Sequence, residues 1–600
     1  MSDAAPCKSP EIRPLGRALG LLAAWALLLL SQPGLFNRDG FGFLAFVALI
    51  PWVWVVSRPG PRAKLIEWFV NGLGLCGFAY WMRYLLPWAV LPMGFVPALY
   101  LVAGGVLLRR LGGRYPLALA APMAWMAAEI VRFSLPSPYS FGWWRVGTLT
   151  HADFWFSSGA RTFGVWGLSF ALAAFAGWVV DRMRGSQGSA KLSHAVGLGA
   201  PLAVILAGVL VPAPEMVPGP RVVVLTPGLE QSLKAHSSDW RHTLLVDPVQ
   251  CLVDGLAEGR ANGEPEPDLV AFGETMMPGI SAEPSALKAF RDGANSPEFT
   301  SRKWTRDTLL GSVGYLDDFL SVLQGRNTRR NRVGTQLMAA GYSEAWLKDL
   351  ARGQAPLPPN TPIFGGVEGL VEREGYLWRV NGARIWDADG KPGALASKLH
   401  LVPAAEDPFP AAYVPWLLDT IQRVGGYIPD FVSDDQSTVL AFEGRDGRPY
   451  RVGTLICYDN SYDDPFIGVH GGAGVDFHMV ASNEAWYERS VLMDHMLAFT
   501  RLAAIMSGRS ILRATNSGAS VLVGADGRIL SLLQQDGEHK MVRGTLRVTV
   551  PVPAQGGGVG EGPAPPKTPY VRFWPIQAGL YWVCLGILLF YSRRRLPQLG

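Results

Sequence analysis

Three short stretches of the sequence each place a chemically reactive side chain where a strand is predicted to end. These stretches are AFGET with Glu274, SKLHLVP with Lys398 and TLICYD with Cys457. Short apolar runs of this kind indicate buried strands. In α/β folds, a strand that ends in a reactive group and is followed by a loop is a common way to present catalytic side chains. The pattern predicts a catalytic trio of one carboxylate, one ammonium group and one thiol.

The chemistry of such a trio is acyl transfer through the thiol. A thiol is a poor nucleophile until it loses its proton, and a nearby carboxylate such as Glu274 can act as the base. The ammonium group of Lys398 would lower the thiol pKa. It would also stabilise the oxyanion that forms when sulfur attacks an acyl carbon. We therefore expect Cys457 to be the nucleophile.

Each of these residues, taken alone, has an ordinary explanation. A lone cysteine at a strand end is usually a small core residue, and a lone lysine or glutamate usually lies at the surface. The other cysteines fit no zinc-ligand pattern and no dense disulfide framework, although Cys251 could pair with Cys457; these cysteines are Cys7, Cys76, Cys251 and Cys584. Since no His, Cys and carboxylate cluster has ligand spacing, we expect no metal and no cofactor.

The composition indicates a chain that is partly membrane-embedded and partly globular. Charged residues make up 17% of the 600 residues, against roughly 25% in ordinary soluble proteins, and the mean hydropathy is +0.17. The net charge of +5 is small for this length and, without a basic stripe, argues against nucleic-acid binding. Apolar stretches of spanning or near-spanning length lie at 15–34, 41–57, 66–86, 93–109, 115–132, 160–182, 192–213 and 575–592.

Loop charges predict the orientation of these spans, because positive residues concentrate in cytoplasmic loops. With a cytoplasmic N-terminus, the cytoplasmic segments carry Lys8, Arg13, Arg17, Arg58, Arg62, Lys64, Arg109, Arg110, Arg114, Arg182, Arg184, Lys191, Arg593, Arg594 and Arg595. The opposite loops carry only Arg38, Arg83, Arg145 and Arg161. Both termini are then cytoplasmic.

Near one span end, Glu129 and Arg132 lie one helical turn apart. Mutual pairing, an interfacial position and a substrate-headgroup role all remain open for these two residues.

The segment 216–570 has a different character and is predicted to form an exported α/β domain. Short β-branched runs alternate with amphipathic stretches, and the strand candidates are 221–225, 268–272, 450–456, 475–480 and 509–514. Pro-rich ends at 211–220 and 551–569 bracket the segment, and the second, with its glycine run at 556–558, indicates a linker. The predicted organisation is a seven-helix bundle at 1–215, the catalytic domain, and a final span with a basic tail at 571–600.

The order and local context of Glu274, Lys398 and Cys457 resemble the carbon–nitrogen hydrolase (nitrilase) superfamily. Further stretches and the layout of spans resemble the bacterial apolipoprotein N-acyltransferase family; these stretches are KLHLVPAAE at 398–406, LICYD at 455–459, SNEAW at 482–486 and GRSILRATNSG at 508–518. GET with Pro278 is similar to that family's Trp-Pro-Glu-Thr turn. The resemblance implies an αββα sandwich carried by seven N-terminal spans and one C-terminal span.

The resemblance also implies a two-step reaction in the inner membrane of a bacterium, with the catalytic domain in the periplasm. Cys457 would take an acyl chain from a phospholipid, typically phosphatidylethanolamine, as a thioester. The free amine of a diacylglyceryl-cysteine on an apolipoprotein would then accept the chain. Glu274 would be the general base. Lys398 would hold the oxyanion together with a backbone N–H near Tyr458.

Further residues take roles only through this resemblance. Glu406 matches a second carboxylate that supports the lysine and the base. Tyr458 and Trp486 would line the acyl pocket. Asp459 stands where the family usually has Glu, and Gly273 where it has Pro. Ala404 and Ala405 replace its Phe-Gly.

The stretch between Glu274 and Lys398 is longer than in the family, and its excess lies at 296–359. This insert carries Trp304, Arg326, Arg329, Arg330 and Arg332. It is either a solvated basic face or a contact with anionic lipid headgroups, at about 1 kcal/mol per basic residue.

Two other functions remain open: a membrane-tethered amidase or nitrilase-like hydrolase with water as the acceptor, and an inactive membrane scaffold. We predict a monomer.

Overall fold

The protein is described from a computed structural model. The described residues are 11–85, 87–135, 140, 142–185, 190–229, 240–297, 303–326, 331–339, 357–403, 406–407, 416, 419, 423, 431–471, 474–554 and 565–593. Several residues singled out in the sequence lie outside them: Cys7, Lys8, Arg329, Arg330, Ala404, Ala405, the glycine run at 556–558, Arg594 and Arg595.

The first 210 residues form helices over each of the apolar stretches predicted there. Their bounds are α1 (Pro14–Leu30), α2 (Ala45–Val56), α3 (Ala63–Phe78), α4 (Val90–Gly112), α5 (Leu117–Ser134), α6 (Phe154–Ser157), α7 (Ala160–Met183), α8 (Ala190–Gly197) and α9 (Gly199–Leu210). Prolines stand inside α2, α4 and α5, which packing against neighbouring helices allows in membrane proteins. A last helix, Pro569–Arg593, covers the C-terminal stretch.

Within the described residues, five helical segments have the length and composition to cross a membrane: Pro87–Gly112, Leu117–Ser134, Ala160–Met183, Ala190–Leu210 and Pro569–Phe590. Two shorter apolar helices lie at Pro14–Leu30 and Gly42–Val56. A helical membrane portion is therefore supported, while the predicted count of seven plus one spans stays a prediction.

The segment 216–570 contains thirteen strands in its described part. They are β1 (Met216–Thr226), β2 (Leu269–Phe272), β3 (Ile280–Ala282), β4 (Ile363–Arg373), β5 (Tyr376–Trp386), β6 (Pro392–Ser397), β7 (Val439–Glu443), β8 (Pro449–Ile456), β9 (Phe477–Ser482), β10 (Ile511–Thr515), β11 (Val521–Val523), β12 (Ile529–Leu532) and β13 (Gly544–Pro553). One sheet has the order β13-β1-β2-β4-β5-β6, with β3 beside β4, and the other has the order β12-β11-β10-β9-β8-β7.

The two sheets pack face to face and carry helices on their outer faces. Buried side chains of β1 and β2, such as Val224 and Ala271, share one apolar cluster with Ile456, Met479 and Leu512 of the other sheet. The helices Trp240–Ala261, Pro284–Arg291, Arg306–Leu323, Arg332–Ala339, Asp464–Gly468 and Leu492–Ser507 complete the segment. This arrangement confirms the layered sandwich expected from the sequence.

The catalytic segment and the N-terminal bundle share one hydrophobic core. The outer helix Leu492–Ser507 belongs to the same buried cluster as bundle tryptophans including Trp25, Trp125 and Trp144. The membrane helices are thus packed into the domain rather than joined to it only by linkers.

The ends of the domain differ from the prediction. β1 begins at Met216 and β13 continues to Pro553, so each Pro-rich segment contains part of a strand, and the segment predicted as a linker begins with strand residues. Pro218 lies at a register shift between β1 and β13, and Pro551 and Pro553 lie in β13, which is an edge strand. A proline, which has no backbone N–H, is tolerated at both kinds of position. β9 and β10 each begin two residues later than expected.

Candidate active site

The three predicted reactive residues each follow the end of a strand. Glu274 lies two residues beyond β2, Lys398 follows β6, and Cys457 follows β8. β2 and β6 belong to one sheet and β8 to the other. Because the sheets pack face to face, the strand ends meet: Lys398 Nζ lies 3.6 Å from Glu274 Oε1, and the charges of both residues shift the pKa of the Cys457 thiol.

Cys457 occupies a strained position at the first residue of a 3₁₀ turn, Cys457–Ser461. Its φ of 49° lies in the left-handed region, which L-residues other than Gly, Asn and Asp seldom adopt. Such strain persists only where the surroundings hold it, and it concentrates at functional sites. The thiol is partly exposed, and both Cys457 and Cys251 are free.

Lys398 joins the Glu274 carboxylate to that of Glu406. Its side chain is buried, and Nζ lies 3.6 Å from Glu274 Oε1 and 2.8 Å from Glu406 Oε2. Glu406 Oε2 also accepts the backbone N–H of Val402 at 2.8 Å. Glu406 is therefore placed to support the lysine, in the manner that the family resemblance implies.

Asn381 is a site residue that the sequence did not reveal. Its Nδ2 donates to Glu274 Oε1 at 2.6 Å and to Glu406 Oε1 at 2.8 Å. It lies inside β5 rather than at a strand end, so neither its position nor its residue type signals a role. The amide holds the two carboxylates around Lys398.

Replacing Asn381 with leucine is expected to move the acid limb of the pH–rate profile to higher pH. Asn381 donates to the ionised form of Glu274 and so lowers its pKa; leucine removes that donor. Because a hydrogen bond to a charged group is worth about 1.5–3 kcal/mol, kcat/KM should fall about tenfold or more on the acid side and recover at higher pH.

The control for this variant is Asn295→Leu, because the Asn295 side chain bonds to the backbone of Trp304 and Ser296 in the same domain. The proposed effect of Asn381 on the pKa of Glu274 would be contradicted if Asn381→Leu left the acid limb of the pH–rate profile in place. It would also be contradicted if both variants moved that limb equally.

The electrostatics of the site favour a neutral thiol before attack. Burial, followed by the Glu274 charge, raises the pKa of Cys457 above its ordinary value. Burial also raises the pKa of Glu274, which makes its carboxylate a stronger base than an exposed glutamate. Burial lowers the pKa of Lys398, but the charges of Glu406, Cys457 and Glu274 outweigh it and raise that pKa. Lys398 lowers the thiol pKa, as expected from the sequence, but burial and the Glu274 charge outweigh it and raise that pKa.

Asp459 ties the ends of two strands together. Its carboxylate accepts backbone N–H groups from three residues, Leu399, His400 and Ile456, at 2.8–3.4 Å. Burial raises the pKa of Asp459 to about 6. The side chain thus joins the loop after Lys398 to the strand before Cys457.

Gly273 lies beside Glu274, at a position where the backbone of the opposing sheet is in close contact. A Cβ at this position would lie 2.8 Å from the backbone nitrogen of Asn516 and 3.1 Å from the carbonyl oxygen of Ser482. A side chain would therefore push β2 away from the opposing strands.

The aromatic residues predicted to line an acyl pocket lie in different surroundings. The Tyr458 ring is buried, and its centroid lies 4.3 Å from that of Trp143 in the N-terminal part. Trp486 is 40% exposed and belongs to the 3₁₀ turn Glu484–Tyr487. Their contact with an acyl chain stays a prediction.

Glu484, in the SNEAW stretch at 482–486, is another buried residue that the sequence did not single out. Glu484 forms an ion pair with Arg513, and both side chains are buried. Glu484 also accepts a hydrogen bond from Ser482, the last residue of β9, at 2.5 Å. This pair joins two neighbouring strands beneath the site.

The described part of the insert lies beside Thr275, the residue that follows Glu274. Trp304 and Arg332 line a cavity of about 790 Å³ that also includes Thr275, the residue after Glu274. Arg332 pairs with Asp318 at 2.8 Å, and Arg326 Nε donates to Gln324 at 3.0 Å. No group of three or more His, Cys, Asp or Glu side chains suited to a metal occurs among the residues described.

Comparison with known families divides the chain into two matching parts. Residues 24–178 match the family described as Apolipoprotein N-acyltransferase N-terminal domain. Residues 360–550 match the family described as Carbon-nitrogen hydrolase. The second match includes Lys398 and Cys457, and Glu274 lies before it.

Curated relatives include proteins named Apolipoprotein N-acyltransferase. One from Chlorobaculum tepidum is 25% identical over 194 residues, covering 31% of this chain and 36% of the relative. One from Pseudomonas aeruginosa (strain PAO1) is 31% identical over 275 residues, 44% of this chain and 46% of the relative. These two alignments thus span less than half of each relative. One from Brucella suis biovar 1 is 24% identical over 566 residues, 87% of this chain and 88% of the relative.

Proposed function

We propose that the protein transfers an acyl chain from a phospholipid to the N-terminal amine of a diacylglyceryl-cysteine. The reason is that the chain belongs to the apolipoprotein N-acyltransferase family. The observation that carries this proposal is the buried Lys398 ammonium between Glu274 and Glu406, beside the Cys457 thiol, whose pKa Glu274 raises and Lys398 lowers. Cys457, Glu274 and Lys398 are then nucleophile, base and oxyanion partner.

In the first step, Sγ of Cys457 attacks the ester carbonyl carbon while its proton passes to Glu274. The oxyanion is stabilised by Lys398 and by the backbone N–H of Tyr458, as preorganised donors do in acyl transfer. The carbon–oxygen bond of the ester then breaks. The lysophospholipid oxygen leaves with the proton from Glu274, and a thioester remains on Cys457.

In the second step, the acceptor amine attacks the thioester carbon and gives a proton to Glu274. The carbon–sulfur bond breaks, and the proton returns to Cys457. The products are an amide and the free thiol, so the reaction follows a ping-pong order and needs no cofactor.

The membrane portion supports lipid substrates. An acyl chain drawn into water costs about 0.8 kcal/mol per CH₂, so a site fused to apolar helices avoids that cost. We infer seven N-terminal spans and one C-terminal span in the inner membrane of a bacterium, with the segment 216–570 in the periplasm and both termini in the cytoplasm. The asymmetry of loop arginines and lysines supports this orientation.

The test is product analysis with purified protein, phosphatidylethanolamine vesicles and a synthetic diacylated lipopeptide. We expect the lipopeptide to gain one acyl chain on its N-terminal amine as lysophospholipid forms in equal amount. Lysophospholipid formed while the amine stays free would contradict the transferase proposal and favour the hydrolase, in which water accepts the acyl group. Absence of both products would favour a scaffold.

A further inference from the structure

The turn that follows the nucleophile, residues 457–463, is held from the membrane side. The backbone N–H of Gly142 donates to Tyr458 Oη at 3.0 Å, and Tyr458 Oη lies 2.9 Å from Tyr462 Oη. Tyr458 and Tyr462 are both buried. A loop between two bundle helices therefore contacts the residue next to Cys457.

An ion pair at the other end of this turn strengthens the connection. Arg145 donates through both terminal nitrogens to Asp463, at 2.8 and 2.9 Å. Both side chains are 3% exposed. Tyr570, in the C-terminal helix Pro569–Arg593, donates to the same carboxylate at 2.8 Å. Asp463 is thus bound from both the helices before the domain and the helix after it.

The loop that carries Arg145 is itself fixed by charged side chains of α5. Glu129 Oε1 accepts the backbone N–H of Val146 at 2.9 Å and the indole N–H of Trp125 at 2.8 Å. Arg132 donates to the carbonyl oxygen of Trp144. Glu129 and Arg132, which the sequence left open among pairing, an interfacial position and headgroup binding, hold this loop. Because bidentate arginine–carboxylate pairs are directional, the loop can impose a geometry on the turn.

We propose that Arg145 is a positioning residue for acyl transfer, acting through Asp463 on the turn that begins at Cys457. The left-handed backbone of Cys457 needs surroundings that hold it, and the Tyr458 N–H must face the oxyanion. The Arg145–Asp463 pair, together with Tyr570, supplies that restraint. The membrane helices are then part of the active-site scaffold as well as an anchor. This inference rests on the proposed function.

A second ion pair between the same two parts provides a matched control. Arg501 Nη1 lies 2.8 Å from Asp39 Oδ1, and the side chains are 5% and 35% exposed. Arg501 belongs to the helix Leu492–Ser507, not to the 457–463 turn. Loss of this pair removes an interdomain contact and leaves in place the Met496 carbonyl and the Thr500 hydroxyl, through which the same helix accepts hydrogen bonds from Asn460 of the turn.

The experiment compares two neutral double variants in the full-length protein, Arg145→Gln/Asp463→Asn and Arg501→Gln/Asp39→Asn. Replacing both partners leaves no buried charge unpaired. The readouts are the single-turnover rate of Cys457 acylation by phosphatidylethanolamine, KM for the phospholipid, and the thermal unfolding midpoint. We expect the first variant to acylate about 10- to 100-fold more slowly with KM nearly unchanged, and the control variant to acylate like wild type.

Equal slowing in both double variants, or wild-type acylation in Arg145→Gln/Asp463→Asn, would overturn the inference. If Arg145→Gln/Asp463→Asn does not fold, the deciding variant is Tyr570→Phe, which removes a single hydrogen bond from Asp463. We expect this variant to acylate about threefold more slowly. Acylation at the wild-type rate would overturn the inference. Wild-type protein that forms no thioester would instead refute the proposed function.

Discussion

Replacing Cys457 with alanine is expected to abolish both lysophospholipid release and acylation of the lipopeptide. Removal of a nucleophile that forms a covalent intermediate typically lowers kcat by more than about 10⁴-fold. Cys457 is partly exposed and alanine removes only its sulfur atom, so the folded protein should persist. The measurement is the rate of each product, with the thermal midpoint as a check on folding.

Cys251→Ala is the matched control, because Cys251 is a buried cysteine of the same domain whose thiol donates to the carbonyl oxygen of Gly544 at 3.2 Å. That variant should retain both activities. Lipopeptide acylation that survives in Cys457→Ala would remove this residue from the mechanism.

Replacing Lys398 with methionine is expected to lower kcat by about 10³-fold and also to reduce stability. Without the ammonium group, Glu274 and Glu406 face each other across Asn381 with no positive charge between them. Carboxylates in that situation share a proton, so the pKa of the pair rises and Glu274 no longer acts as a base near neutral pH. Breaking a buried ion pair costs about 3–5 kcal/mol, and the thermal midpoint should fall.

Two further variants separate chemistry from stability. Lys540 pairs with the buried Asp494 elsewhere in the domain, so Lys540→Met should lose stability while keeping kcat. The double variant Lys398→Met/Glu406→Gln removes the excess buried negative charge and should regain stability without regaining activity. Full activity in that double variant would show that Lys398 has no part in stabilising the oxyanion.

The sequence predicted the parts of the site that lie at strand ends. Glu274, Lys398 and Cys457 each follow an apolar run, and their residue types form a chemically coherent set. β1, β2 and β8 were predicted for the same reason, since short β-branched runs between polar segments indicate strands. The helices before residue 210 follow from the length of their apolar stretches.

The remaining site residues depend on packing between distant segments. Asn381 lies in mid-strand and reaches Glu274, 107 positions earlier, only because β5 and β2 share a sheet. Arg145 counted in the sequence only as one charge of a non-cytoplasmic loop, yet its partner Asp463 is 318 positions away. Contacts of this kind arise from tertiary structure, and local sequence patterns do not predict them.

The central claim is that Cys457 carries the acyl chain between two lipids. Its most direct test is mass spectrometry of the full-length protein after incubation with phosphatidylethanolamine and no acceptor. We expect one acyl chain bound as a thioester on the peptide that contains Cys457. When the diacylated lipopeptide is added, the thioester should disappear and the same acyl chain should be found as an amide on the lipopeptide. Lipopeptide acylation by a protein whose Cys457 never carries an acyl chain would contradict it.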